Sequence, residues 1–339
     1  MSGSIVLFTT FCSFTGLSAQ GVEDWVNKGL KQDSAGQSQQ AVESFSKAIE
    51  LEPDLAVIWY NRGVARMHLK QASLAVVDFN KAVFLDTSLT DAYFNRHLAY
   101  KATSNYMFAM ADLDEYLKRR PGDVTALDAR ADLAIEMKEF DVARKDLETL
   151  HTLAPENASL LVRLAELCSQ TGDHPGAEKW YNELLSAYPD EVGFYLSRAY
   201  VRTAAGNYSG SMDDINLYLL RQPRDAEALK LKADNYFYNK QFTEAEGIYT
   251  ALLGKDSSNG SLWADYGHCL LQRGEFVKAE EILTRSIRSK ADSPGYAYLG
   301  RGMARYNQGK TAEACQDWEK GKMLGEKRAS EYLDKHCKK

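Results

Sequence analysis

Small and apolar residues return every 34 positions along this chain. Trp59, Gly63, Ala75, Phe79 and Ala82 repeat the series Trp25, Gly29, Ala41, Phe45 and Ala48, which Pro53 closes. A fixed period of this length is the mark of an array of stacked two-helix units, so it decides the architecture before any local reading. Counting 34 positions per unit from Val22, eight units follow without insertion, starting near residues 22, 56, 90, 124, 158, 192, 226 and 260. Position 8 holds Gly29, Gly63, His97, Ala131, Ala165, Ala199, Ala233 and Gly267. Position 20, expected to face it on the second helix, holds Ala or Ser throughout, as at Ala75, Ala177 and Ser211. Small residues at a crossing let two helices approach closely; His97 alone strains the rule. Pro53, Pro121, Pro155, Pro189 and Pro223 all fall at position 32, where a helix must stop. Gly36, Gly172, Gly206 and Gly274 fall at position 15, where a left-handed C-cap is wanted between the helices. After one extra residue between Asp292 and Pro294, a ninth unit begins near residue 295 and carries Tyr298, Gly302, Gly309, Ala314 and Trp318.

These residues resemble the tetratricopeptide repeat family, and the likeness covers roughly Val22 to Lys322. It implies an all-α, right-handed superhelical solenoid of about nine helix-turn-helix units (residues 21–324). The segment 325–339 reads as a capping helix with Ala329, Tyr332, Leu333 and His336 on one face. The run from Cys315 through Trp318 and Leu333 to Cys337 also resembles a closing segment of bacterial cell-envelope arrays. In this family, inner-helix positions 2, 5, 9 and 12 line a concave groove. In the second and third units they read Val57, Tyr60, Val64, Met67 and Asp91, Phe94, Leu98, Lys101, with Asn61 and Asn95 alongside. An apolar strip rimmed by polar groups marks an interaction site, with Tyr60 and Phe94 as anchors. The fourth and fifth units are acidic instead, with Asp128, Asp132 and Glu166, so the expected peptide combines an apolar stretch with basic residues.

Met1–Gln20 carries no charged side chain, has an apolar run from Ile5 to Leu17, and ends in small residues. That suits a secretory signal cleaved near Ala19 and is too short to span a bilayer. The Lys or Arg expected before the run is missing, so either the natural start lies upstream or the segment is no signal. Cys12 has Thr9 where a lipid-attachment motif needs Leu. The reading is periplasmic or secreted, otherwise cytoplasmic. Export would allow a disulfide: Cys315 lies ten residues before the turn at Gly325 and Cys337 twelve after it. In an antiparallel hairpin the two therefore rise to one level.

A net charge of −6 with acid and base interspersed lacks the clustered cationic face that nucleic acid requires. No phosphate loop, paired-His helix or nucleophile elbow appears. His268 is expected to look into the groove, Cys168 and Cys269 to be small core residues, and Asp213 and Asp214 to form a solvated face. Three Asn-X-Ser sequons, at Asn157, Asn207 and Asn259, fall at turns. The function expected is a non-catalytic scaffold in the bacterial cell envelope that binds a protein or peptide. It takes no cofactor, metal, small-molecule substrate or nucleic acid, and spans no membrane. A second reading is a co-chaperone-type adaptor gripping a C-terminal carboxylate, since Arg62 and Arg96 follow the two asparagines. Val26 and Leu30 stand where that clamp needs Lys and Asn. An enzyme is the third reading.

Overall fold

The computed structural model describes residues 17–289 and 294–337. The apolar run before Leu17, Cys12 and the extra residue near Asp292 lie outside the described residues. Nineteen helices and no strand occur among those residues. They form two compact units, divided between Leu164 and Ala165.

In the N-terminal unit the helices pair as α1 (Leu17–Ser34) with α2 (Ser38–Leu51), α3 (Ala56–His68) with α4 (Ala72–Leu85), α5 (Thr90–Ala102) with α6 (Tyr106–Arg119), and α7 (Val124–Met137) with α8 (Phe140–Leu153). These are repeats one to four. Helix α9 (Ala158–Gln170) begins in this unit and ends in the next. The C-terminal unit continues with α10 (His174–Ala187), then α11 (Gly193–Ala204) with α12 (Tyr208–Arg221), α13 (Ala226–Tyr238) with α14 (Phe242–Lys255), and α15 (Gly260–Gln272) with α16 (Phe276–Arg288). Repeat nine is α17 (Pro294–Asn307) with α18 (Thr311–Met323), closed by α19 (Lys327–His336).

The turn inside each hairpin is the same at every repeat. Gly36, Gly172, Gly206, Gly274 and Gly309 have φ between 76° and 79°, and Lys70, Ser104, Lys138 and Lys240 occupy the same left-handed position at 59–63°. Position 15 is therefore left-handed whether or not it is glycine. The turn between repeats is tied through the aromatic at position 4. Trp59 Nε1 donates to the Pro53 carbonyl at 2.7 Å, Trp263 Nε1 to that of Ser257 at 2.9 Å, and the Tyr93 hydroxyl to that of Thr87 at 3.3 Å. The proline slot thus works even where Thr or Ser fills it.

Position 8 does not face position 20. A Cβ added to Gly29 would lie 2.6 Å from the Phe45 ring, and one on Gly63 2.7 Å from that of Phe79; Gly302 sits against Trp318 in the same way. The small residue accommodates the large one at position 24, and the Ala at position 20 is buried separately. Each hairpin then buries a ring or branched chain at position 24: Phe45, Phe79, Leu113, Leu147, Ile215, Tyr249, Leu283 and Trp318 are all sealed from solvent. The sequon asparagines work locally. Asn207 and Asn259 cap α12 and α15 through bonds to Gly210 N and Leu262 N, and Asn157 accepts from Ser159 N.

Candidate functional site

An ion-paired seam between the two helices of a hairpin recurs in five repeats. The guanidinium at position 7 grips the carboxylate at position 23 through two parallel bonds of 2.6–3.0 Å: Arg62 with Asp78, Arg96 with Asp112, Arg130 with Asp146, Arg198 with Asp214, and Arg301 with Asp317. The remaining nitrogen reaches back to the second helix of the preceding repeat, at Ser46, Asn80, Asp114, Asn182 and Thr284 respectively. In four of these repeats the guanidinium also lies 4.8–5.7 Å from the ring at position 4: Trp59, Tyr93, Tyr195 or Tyr298. Asp78, Asp214 and Asp317 each hold a second arginine as well, Arg66, Arg202 and Arg305. Bidentate pairs of this kind are the strong, geometrically specific ones. The five carboxylates are buried. Asp214 is therefore an internal ion-pair partner rather than part of a solvated face; Asp213 alone is exposed. The seam also consumes Arg62 and Arg96, so the arginines on which the carboxylate clamp rested are not free to grip a ligand. The signal for the seam is Arg and Asp sixteen residues apart, recurring in phase.

On the first helices of repeats two and three, five of the nine predicted groove residues are buried: Tyr60, Asn61, Val64, Phe94 and Asn95. Val57, Met67 and Leu98 are half-buried, and Lys101 is exposed. The expectation of Tyr60 and Phe94 as open anchors is corrected by packing inside each hairpin and, for Tyr60, against the next repeat. The Tyr60 ring lies 6.0 Å from that of Phe79, and its hydroxyl accepts from Asn95 Nδ2 at 2.7 Å. Burial pushes that hydroxyl's pKa up. Phe94 meets His97 edge-on at 4.6 Å and Tyr116 at 5.1 Å. Burial holds the His97 imidazole down at about 4. Asp91, at position 2, pairs with Arg120 at 2.9 Å.

Two amides stand out in this packing. Asn61 is 1% exposed, and neither its Oδ1 nor its Nδ2 has a hydrogen-bond partner; Asn95, also 1% exposed, has none for Oδ1. Buried polar atoms are almost always partnered, and leaving one unmade costs about 1–3 kcal/mol. Further along, the acidic character expected of repeat four is already balanced, because Arg163 pairs with both Asp128 and Asp132.

In the C-terminal unit the first helices of repeats seven and eight carry a charged cluster. Lys230 Nζ lies 2.9 Å from Asp234 and 3.2 Å from Asp265, and the Tyr249 hydroxyl donates to Asp234 at 2.8 Å. Burial pushes the Asp265 carboxyl up despite Lys230. His268 does not look into a groove. It is buried and stacked on Tyr296 at 3.8 Å, with Nε2 3.1 Å from the Tyr296 carbonyl, and burial lowers it to about 4. Cys168 and Cys269 are buried, and burial pushes the Cys269 thiol up to about 12, which makes it unreactive. Cys315 and Cys337 are joined by a disulfide with Cα atoms 5.8 Å apart, tying α18 to the end of α19. Beside it Trp318 packs with Tyr306, Tyr332 and His336. Among the described residues no group of three or more His, Cys, Asp or Glu is placed to hold a metal, and no helix is long and apolar enough to cross a membrane.

Family models described as tetratricopeptide repeat match residues 134–199 and 236–304, residues 25–55, and residues 296–320. Among solved structures the chain is similar to a tetratricopeptide repeat protein from Parabacteroides merdae, with 19% identity over 93% of this chain and 98% of that one, at a TM-score of 0.33. It is also similar to YrrB, a TPR protein with an unusual peptide-binding site, with 17% identity over 56% of this chain and 98% of that one, TM-score 0.45. A third is the first TPR of Spaghetti (RPAP3), solved bound to an HSP90 peptide, with 27% identity over 35% of this chain and 97% of that one, TM-score 0.34.

Proposed function

Because the chain belongs to the tetratricopeptide repeat family, we propose that it is a non-catalytic protein-interaction scaffold that holds an extended peptide across the first helices of repeats two and three. The observation that supports this reading is a pair of amides at equivalent positions in successive repeats. Asn61 and Asn95 sit at the same position one repeat apart, and both keep amide atoms without partners in the free protein. A side-chain amide offers one acceptor and a donor group, which is what a peptide unit of an extended chain complements. Val57, Met67 and Leu98 remain partly exposed around them and would take apolar side chains, with Lys101 at the edge. The ligand is thus an apolar stretch read mainly through its main chain. The basic tail expected earlier is dropped, since Asp128 and Asp132 are engaged by Arg163. Affinity in the micromolar range, about −8 kcal/mol, is ordinary for such a contact.

The compartment belongs to the same proposal. The Cys315–Cys337 bond supports an oxidising environment such as the bacterial cell envelope.

Asn61→Ala separates a binding role from a structural one. Truncating Asn61 removes buried packing but also removes two polar atoms that lack a protein partner, so the melting temperature should stay near that of the parent, while capture on an immobilised peptide array should weaken tenfold or more. A variant that melts markedly lower, or one that captures the same peptides at equal affinity, would show Asn61 to be structural.

A further inference from the structure

The second helices of repeats two and three carry an apolar surface that the repeat frame does not demand. On α2, positions 22, 26 and 29 read Glu43, Lys47 and Glu50, and on α8 Lys145, Thr149 and Thr152. On α4 the same positions read Val77, Lys81 and Phe84, preceded by Leu74. Leu74, Val77, Lys81 and Phe84 fall three or four residues apart, so they form one stripe about 15 Å long. Leu74, Val77 and Phe84 are half to four-fifths exposed, and so are Met107 and Phe108 at the start of α6. The two helices share one patch because Tyr100 bridges them. Its ring stacks on Phe108 at 5.3 Å, and its hydroxyl donates to Asn80 Oδ1 on α4 at 3.0 Å.

We propose that this patch is the interface of a two-fold homodimer. The exposed parts of the five apolar side chains amount to on the order of 600 Å², the upper end of what monomers leave open. Two copies face to face would remove about 1,200 Å², enough for a specific interface. A second copy is the occupant that the charges favour. The stripe has one ionisable group, Lys81, whose ammonium lies 5.4 Å from the Phe84 ring centre within the same helix. Laying the stripe on its own image opposes no carboxylates, whereas a different partner would be expected to find complementary charge to select it. The ends of the patch also differ: Phe84 lies at one, Met107 and Phe108 at the other. A two-fold axis near Val77 runs the α4 helices antiparallel and brings Phe84 of one protomer onto Met107 and Phe108 of its partner. Isologous pairing of this kind closes at two and builds no filament.

The test is light scattering coupled to size exclusion on the full chain at micromolar concentration, beside Val77→Glu and Phe84→Glu. Both side chains are exposed, so circular dichroism should be unchanged, and melting should fall only by the stabilisation that dimerisation supplies. The expected result is a dimer for the parent chain, insensitive to added salt, and monomers for both variants, with dimer affinity at least about tenfold weaker. A monomeric parent chain, whether or not it captures lipid or another protein through α4, overturns the proposal. So does an open-ended oligomer, or a dimer that persists in both variants. Asn61→Ala should leave the dimer intact, which keeps this test independent of the peptide site.

Discussion

Repeats three and eight are built on one 34-residue frame and close their helices by different means. In repeat three, Arg96 and Asp112 meet between α5 and α6 as a bidentate ion pair, and Arg96 reaches back to Asn80. In repeat eight the same positions hold Tyr266 and Ile282, and the tyrosine hydroxyl reaches back to Glu246 at 3.1 Å. Both hairpins put a leucine at position 24, Leu113 or Leu283, sealed from solvent. Both carry a buried histidine, His97 or His268. Packing at position 24 thus forms the hairpin, and the seam at positions 7 and 23 is an option laid over it. An ion pair there adds directional bonds between helices and little net stability, since desolvation offsets most of its attraction. Its weakness appears only when half of it is removed.

The largest expected effect follows from that asymmetry. Asp112→Ala leaves the Arg96 guanidinium largely buried and unpaired and should cost about 3–5 kcal/mol. Transplanting the repeat-eight solution, Arg96→Tyr with Asp112→Ile, should recover most of that loss and end within about 1–2 kcal/mol of the parent. Urea unfolding followed by hydrogen exchange in α5 and α6 measures both. Because repeats contact only their neighbours, the loss should stay local. A double variant as unstable as the single one would mean that the ion pair, not position 24, closes the hairpin.

Repeat nine has the seam of repeat three, as Arg301 with Asp317, and adds a covalent tie. Cys315→Ser with Cys337→Ser should lower stability by about 3 kcal/mol, the chain-entropy value for a loop of that size. The loss should be confined to α18 and α19. Mass spectrometry without reduction checks the bond directly, and two alkylatable thiols at these positions would refute it.

The two buried histidines make both regions respond alike to acid. Each is held at about 4 by burial, against 6.5 when exposed. Above pH 6.5 both states are neutral and nothing changes. Between 6.5 and 4 the unfolded chain binds protons that the folded one does not, so stability falls with falling pH, by up to about 3 kcal/mol for each histidine. Below 4 the folded state also takes the proton and the loss levels off. His97→Leu should flatten the slope in the N-terminal unit only. A slope unchanged by that variant would place the acid response elsewhere.

The fold was legible because its signals recur. One proline or glycine means little, but the same residue at position 32 or 15 in several successive periods leaves no other reading. The disulfide was legible for a related reason: two helices of known rise about a known turn leave little freedom. What could not be read was pairing across the hairpin. Position 8 was matched with position 20 on size alone, whereas Gly63 faces the Phe79 ring, because a small residue needs a large partner, not another small one. The open anchors failed for the same reason. Tyr60 and Phe94 lie on the inner face in projection, but neighbouring helices close over them, and a period says nothing about how near the next helix stands. The unpartnered amides of Asn61 and Asn95 are a property of three dimensions that no spacing reveals.

The smallest effect separates frame from residue at one shared position. Position 15 is left-handed in both compared repeats, yet repeat three places Ser104 there at φ 59° and repeat eight places Gly274 at φ 77°. A side chain with a Cβ is strained in that region by about 1–2 kcal/mol, while glycine enters it freely and loses more entropy on folding. These terms partly cancel. Ser104→Gly should therefore stabilise repeat three by about 0.5–1 kcal/mol, as should Lys70→Gly, Lys138→Gly and Lys240→Gly in their own repeats. The reciprocal change, Gly274→Ala, should destabilise repeat eight by about 1 kcal/mol, although nothing lies within 4 Å of the added Cβ. Because that space is open, packing cannot account for the loss, and only backbone conformation remains. Thermal melts of Ser104→Gly and Gly274→Ala should thus move in opposite directions. A stabilised Gly274→Ala would mean that the turn can leave the left-handed region, and that position 15 is not the fixed point on which all nine hairpins turn.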